Sequence, residues 1–187
     1  MKIINAEKKH APLIARSVMA GIGEEICKDF AGEHHSLADV ERFFTELAER
    51  DDSQYSYLNT LVAVNDEWEA VGACISYDGA RLDELRKPFF DAVKRLLGRD
   101  MSDIQDETDS SEFYLDTLAV LPEYRKQGIA SALLKASVEK ARKAGKPAGL
   151  LVEKENKRAR RLYESLGFRQ VGERPFAYVM MDHLQCI

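Results

Sequence analysis

The chain has 187 residues, 45% of them hydrophobic and 32% charged, the balance of an ordinary soluble domain with a sizeable core. A net charge of −5 argues against non-specific nucleic-acid binding, which needs a basic surface. Cys27, Cys74 and Cys186 are far apart and neither CxxC nor HExxH occurs, so no metal is expected and the thiols read as reduced in a cytoplasm. The opening MKIINAEKKHAPL lacks the apolar core of a signal peptide, and no run approaches the roughly 18 apolar residues of a membrane span. A cytoplasmic location without membrane contact is the expectation.

In chain order, KIINA predicts a short first strand, and HAPLIARSVMAG a helix carrying Leu13, Ile14 and Val18 that stops at Gly21. GEHHS follows, with His34 and His35, either of which is a base by its titration range or simply an exposed loop residue. Residues 36–50 predict a cleaner helix. Ser36 is its N-cap with Asp39 three residues on, and Leu37, Val40, Phe44 and Leu47 form one apolar stripe. NTLVAVND and WEAVGACISYDG predict a hairpin, and residues 82–98 a helix that Pro88 starts or kinks.

RDMSDIQDETDSS then predicts an acidic loop. From Asp100 to Asp116 the acidic residues are Asp100, Asp103, Asp106, Glu107, Asp109, Glu112 and Asp116, with no Lys or Arg among them. The loop is either merely solvated or attracts a cationic ligand; its spacing rejects an EF-hand. EFYLDTLAVL returns to strand chemistry. By period two, Glu112, Tyr114, Asp116 and Leu118 share one face of it, and Phe113, Leu115 and Thr117 the other.

YRKQGIASALL comes next, and it leads into a helix with Ile129, Leu133, Leu134, Val138 and Ala141 on one face, ended by Gly145 and Pro147. AGLLVE predicts a strand buried on both faces, NKRARRLYESLGF a helix closed by Gly167, and FRQVGE and FAYVMMDHL two last strands. This order is α/β (α+β) with a locally parallel pair.

Strand, tight turn and helix place free backbone N–H groups at a helix N-terminus, where they and the macrodipole favour a phosphate. The P-loop pattern GxxxxGK[ST] and the dinucleotide pattern GxGxxG are both absent. What fits is [RQ]xxGx[GA], met by Arg125, Gly128 and Ala130.

With that turn in place, LAVLPEYRKQGIASALL resembles the acetyl-CoA motif of the GCN5-related N-acetyltransferases, and NKRARRLYESLGF resembles that family's second motif, downstream by the usual spacing. The resemblance covers the whole chain. It implies one domain over residues 1–187 with a mixed, mostly antiparallel sheet, a splayed central parallel pair and helices on both faces. An extra helix and acidic loop at about 79–111 depart from the minimal fold. It implies that the N–H groups of Lys126, Gln127, Gly128, Ile129 and Ala130 hold the cofactor pyrophosphate, with Arg125 at the rim and Ser131 beside them. It implies that the backbone of Leu118 and Val120 pairs with the pantetheine arm, that a bulge near Ala119 aims an N–H at the thioester carbonyl, and that Asn156 contacts the cofactor. Tyr163 matches the family tyrosine near the coenzyme A sulfur, as general acid.

The implied reaction is transfer of acetyl from acetyl-CoA to a primary amine by direct attack, without a metal. The alternative is a coenzyme A-binding sensor or interaction module without turnover. An amine nucleophile must lose a proton, and the candidate bases on the signature strand are Asp116 and Glu112. Each has the alternative of an ion-pairing role, and Tyr163 that of a core aromatic. The acceptor stays open between a small amine, a polyamine, an aminoglycoside and a peptide or protein amine. Monomer and homodimer both fit.

Overall fold

The computed structural model describes residues 1–101, 103–177 and 179–187. Its seven strands are β1 (Lys2–Asn5), β2 (Thr60–Val64), β3 (Ala70–Asp78), β4 (Phe113–Val120), β5 (Ala148–Val152), β6 (Arg169–Phe176) and β7 (Val179–Cys186). They form one sheet in the order β1-β2-β3-β4-β5-β7-β6. Every neighbouring pair is antiparallel except β4–β5, which runs parallel and is zipped only at Phe113↔Ala148 and Tyr114↔Gly149. Beyond those two pairs the strands part.

Alternation along the strands sorts side chains to two cores. Val62 and Val64 of β2 face α1 (Ala11–Ile22), α2 (Glu24–Ala31), α3 (Leu37–Glu49) and α4 (Leu82–Leu97). Leu61 and Ala63 face α5 (Ile129–Lys143) instead. That second core holds Ile129, Leu133, Leu134, Val138 and Ala141 of α5, and α6 (Lys157–Ser165) packs Ala159, Leu162 and Tyr163 against it.

Ser36 caps α3 as its sequence predicts: its hydroxyl accepts from Asp39 N–H while the Asp39 carboxylate accepts from Ser36 N–H. Two boundaries differ from expectation. The first helix runs through Gly21 and ends at Gly23, whose φ of 89° a side chain would strain. The stretch after it, for which no helix was expected, forms α2 and buries Cys27, Phe30 and Ala31. Pro88 lies inside α4.

The main departure is in β4. Ile75 pairs with Thr117 but Ser76 pairs with Leu115, so Asp116 is an extra residue, a β-bulge. At Ala119, where a bulge was expected, the register is regular: Ala73↔Ala119 and Gly72↔Val120. An inserted residue inverts the alternation beyond it. Thr117 therefore lies against Gly21 of α1, on the side of Tyr114, and Leu118 packs with Phe113 and Leu115 over α5. The strict two-residue period assigned Thr117 and Leu118 the other way round.

Candidate active site

The bulge decides which backbone groups of β4 face the gap. Before it, Phe113 donates its N–H to Pro147 on the β5 side. After it, Leu121 donates to Val71. Alternation of an antiparallel ladder then gives the backbone of Ala119 to β3 and leaves that of Leu118 and Val120 facing the open gap. Among the described residues, Leu118 and Val120 have no strand partner on this side, and the Val120 carbonyl accepts from Arg125 Nε. The N–H of Ala119 is turned to β3, and the bulge expected near Ala119 lies at Asp116.

The turn that follows is built for an anion. Lys126 and Gly128 have φ of 63° and 80°, and α5 starts at once with Ile129. Ala132 is the first residue of α5 to donate back to the turn, to the Gly128 carbonyl at 3.0 Å. Among the described residues, the N–H groups of Lys126, Gln127, Gly128, Ile129, Ala130 and Ser131 have no acceptor in the protein. A Cβ on Gly128 would meet nothing within 4 Å, so this face is open. Arg125 braces the turn by donating from Nε to Val120 O at 3.0 Å, and Gln127 Nε2 donates to Glu123 O at 3.3 Å. The residues present fit a pyrophosphate: successive free N–H groups at a helix N-terminus with a rim of cationic side chains.

Asn156 caps α6, its Oδ1 accepting from Ala159 N–H at 3.1 Å. Tyr163 is half-buried in the second core with its ring 5.9 Å from that of Phe168, and its hydroxyl has no hydrogen-bond partner among the described residues. Burial, with the nearby Cys74 thiol adding to it, pushes the Tyr163 phenol up to about 12, so it keeps its proton at neutral pH.

The two carboxylates of the strand have opposite surroundings. Glu112 is fully buried. Its Oε2 accepts from Gln185 Nε2 at 2.8 Å and lies 2.7 Å from His183 Nε2, and its Oε1 accepts from Thr108 Oγ1 at 2.8 Å. Burial alone would raise its pKa; the contacts from His183, Gln185 and Thr108 outweigh that and hold it below the ordinary value. It sits under the zipped end of β4, where a Cβ on Gly149 would fall 1.7 Å from Oε2.

Asp116, at the bulge, accepts from Thr117 Oγ1 at 2.7 Å, Tyr77 hydroxyl at 3.0 Å and Gln54 Nε2 at 3.4 Å. Burial still raises its pKa. Beside it lies Glu107, from the acidic stretch, 4% exposed and also in contact with the Tyr77 hydroxyl (3.1 Å) and Gln54 Nε2 (3.5 Å). Burial first, then the Asp116 charge, push Glu107 up to about 7.

Glu107, Tyr77 and Gln54 were not legible as site residues. Tyr77 alternates inward on β3, but Glu107 is one acid in a run of them, and only folding brings it inward. Two other acids of that stretch are paired: Asp106 with Arg86, and Asp109 with Arg174 and Ser111. His34 and His35 are exposed, and all three cysteines are free and buried. Among the described residues, no group of three His, Cys, Asp or Glu is placed to hold a metal, and no helix is long and apolar enough to cross a membrane.

The fold is a mixed seven-stranded sheet whose central parallel pair splays beside a helix N-terminus with free N–H groups. A family model described as the Acetyltransferase (GNAT) family matches residues 22–168, and the chain belongs to that family. A crystal structure described only as an acetyltransferase superposes with a TM-score of 0.80 at 30% identity, covering 100% of this chain and 98% of that one. An N-acetyltransferase from Staphylococcus aureus Mu50 gives 0.79 at 22% identity, covering 99% and 100%. The NatC complex bound to Gag peptide and CoA gives 0.54 at 17%, covering 100% and 98%; these last two speak for the fold alone. No curated protein sequence matches the chain.

Proposed function

We propose that the protein transfers an acetyl group from acetyl-CoA to a primary amine by direct attack, with both substrates bound together. The observation that carries this reading is the run of acceptor-free N–H groups from Lys126 to Ser131 beside the unpaired edge of Leu118 and Val120. The thioester supplies an acyl carbon with a good leaving group. The protein's part is to hold and orient it, and to move protons.

In this reading the turn grips the pyrophosphate, with Arg125 and Lys126 at the rim. The strand edge takes the pantetheine amides as a further strand would. Asn156, whose Oδ1 is engaged in capping, has its amide NH₂ to offer the cofactor. The N–H groups turned to the gap, those of Leu118 and Val120, are the donors for the thioester oxygen, on which negative charge develops. Tyr163, with its retained proton, gives it to the leaving thiolate. Asp116 rather than Glu112 is the base: it is half-buried at the open half of β4 and its pKa is raised, whereas Glu112 is fully buried under the zipped end and its pKa is depressed. The balance closes. A C–N bond forms and a C–S bond breaks; of the three ammonium protons one stays on the amide, one goes to sulfur and one leaves through Asp116 to water.

The test is thiol release from acetyl-CoA across a panel of small amines, polyamines, aminoglycosides and peptides. Acceptor-dependent release is the expected result, and its absence with every amine, despite cofactor binding, overturns the reading.

A further inference from the structure

We propose that Asp116 and Glu107 form one proton-sharing unit, joined through the Tyr77 hydroxyl, which takes the proton from the ammonium group of a cationic acceptor. This rests on the acetyl-transfer reading and deepens it by replacing a single base with a pair.

The argument is a count of hydrogens. Four contacts link the carboxylates to their bridging groups: the Tyr77 hydroxyl to each at 3.1 and 3.0 Å, and Gln54 Nε2 to each at 3.5 and 3.4 Å. Tyr77 has one hydrogen to give and Gln54 Nε2 has two, so three hydrogens serve four contacts. A proton held on one carboxyl supplies the fourth. Without it, two anions would face one hydroxyl in a site where Tyr77 is 2%, Glu107 4% and Gln54 5% exposed. Among the described residues, the Oε1 of Gln54 is buried with no partner, so the cluster is short of donors on that side too.

The other groups around the pair do not neutralise it. Tyr55 from the turn after α3, Tyr114 from β4 and Cys74 from β3 are all pushed by burial towards their neutral forms. The Tyr77 phenol is held neutral in the same way. Arg86 of α4 is the cation nearest Glu107, at 3.8 Å from Oε2, and it is shared with Asp83 and Asp106. A residual negative charge therefore faces the only member of the cluster that is not fully buried, Asp116. An ammonium ion is the complementary ligand.

The proton moves in a balanced way. Once the pair has given its shared proton to water, the ammonium gives one proton to Asp116 Oδ2, which hands it to the Tyr77 oxygen as the Tyr77 hydroxyl passes its own hydrogen to Glu107, and the singly protonated pair is restored. The freed amine attacks, and the pair later returns the proton to water. Coupling makes the pair a stronger base than Asp116 alone. The raised Glu107 value, about 7, sets the upper step of the pair near neutrality, where a general base works best. Glu107 never touches the acceptor and is a positioning residue.

Isotope-edited infrared spectroscopy of the full chain, without cofactor or acceptor, tests the pair directly. A buried protonated-carboxyl band should be present near about pH 6, fade as the pH passes about 7 and vanish in Glu107→Gln. Its absence from the wild type overturns the proposal, whether or not the variant folds. In kinetics, Glu107→Gln should move the acid limb of kcat/KM down by about one pH unit and lower kcat about tenfold, with Glu107→Asp in between. An unshifted limb overturns the pair. Failure of every amine to give turnover counts against acetyl transfer instead, and the infrared titration still judges the pair.

Discussion

The two halves of β4 carry one carboxylate each and use it in opposite ways. At the zipped half, Glu112 lies beneath the β4–β5 pairing and ties the strand to β7 through His183 and Gln185. Its pKa is depressed, so it strengthens the fold as an anion. At the open half, Asp116 shares Tyr77 with Glu107 at the bulge, and both pKa values are raised. One carboxylate is matched to its donors; the other pair is short of them. The difference shows how one strand divides structural from chemical work: surplus donors fix a charge, and scarce donors leave a proton free to move.

The comparison can be broken from several directions. The largest effect is expected at the turn beyond the open half. Gly128→Asp adds an anion beside the free N–H groups and a side chain at φ 80°, and should raise the KM for acetyl-CoA at least about a hundredfold. An unchanged KM would remove this turn from the site. Asp116→Asn should lower kcat/KM about a hundredfold while the thermal midpoint holds or rises, since it removes a buried carboxylate whose charged form is disfavoured. A normal rate would place the base elsewhere.

Tyr163→Phe should lower kcat about tenfold with little change in KM, and equal kcat would make Tyr163 a core aromatic. Glu112→Gln should leave the rate per folded molecule within about twofold but cost about 1–3 kcal/mol, by disturbing buried hydrogen bonds. A rate loss matching that of Asp116→Asn would erase the contrast between the halves.

The smallest expected effect is one of sign. A depressed carboxylate such as Glu112 contributes stability above its ordinary value near 4.5, and that contribution is lost as pH falls through its folded value. Glu107 does the reverse: between about 4.5 and about 7 the folded state is progressively destabilised as pH rises. Glu107→Gln should therefore raise the thermal midpoint at about pH 8 and not at about pH 4. Equal shifts at both values would show that Glu107 is not held up by its surroundings.

Much of the molecule was legible in the sequence because it is local. Ser36 and Asp39 cap their helix three residues apart, Ile129 to Ala141 repeat at helical spacing, and the turn from Arg125 to Ala130 is contiguous in the chain. A phosphate grip made of successive backbone N–H groups needs only a strand, a glycine and a helix in order. Asn156 as the α6 cap is of the same kind, with its partner three residues on.

The bulge was misplaced by three residues because its position depends on the register between β3 and β4, which neither strand encodes alone. That single insertion moved Thr117 and Leu118 to opposite faces and gave Leu118 and Val120 the open edge. Glu107 met Asp116 only because the stretch after α4 folds back over Tyr77. Sequence by itself determined the glycine turn before α5 and the order of the elements other than α2, since each rests on neighbours within one turn of helix or one strand. Tertiary structure alone decided which carboxylate is satisfied and which shares its proton. That outcome depends on counting donors and acceptors in a buried space assembled from segments more than fifty residues apart.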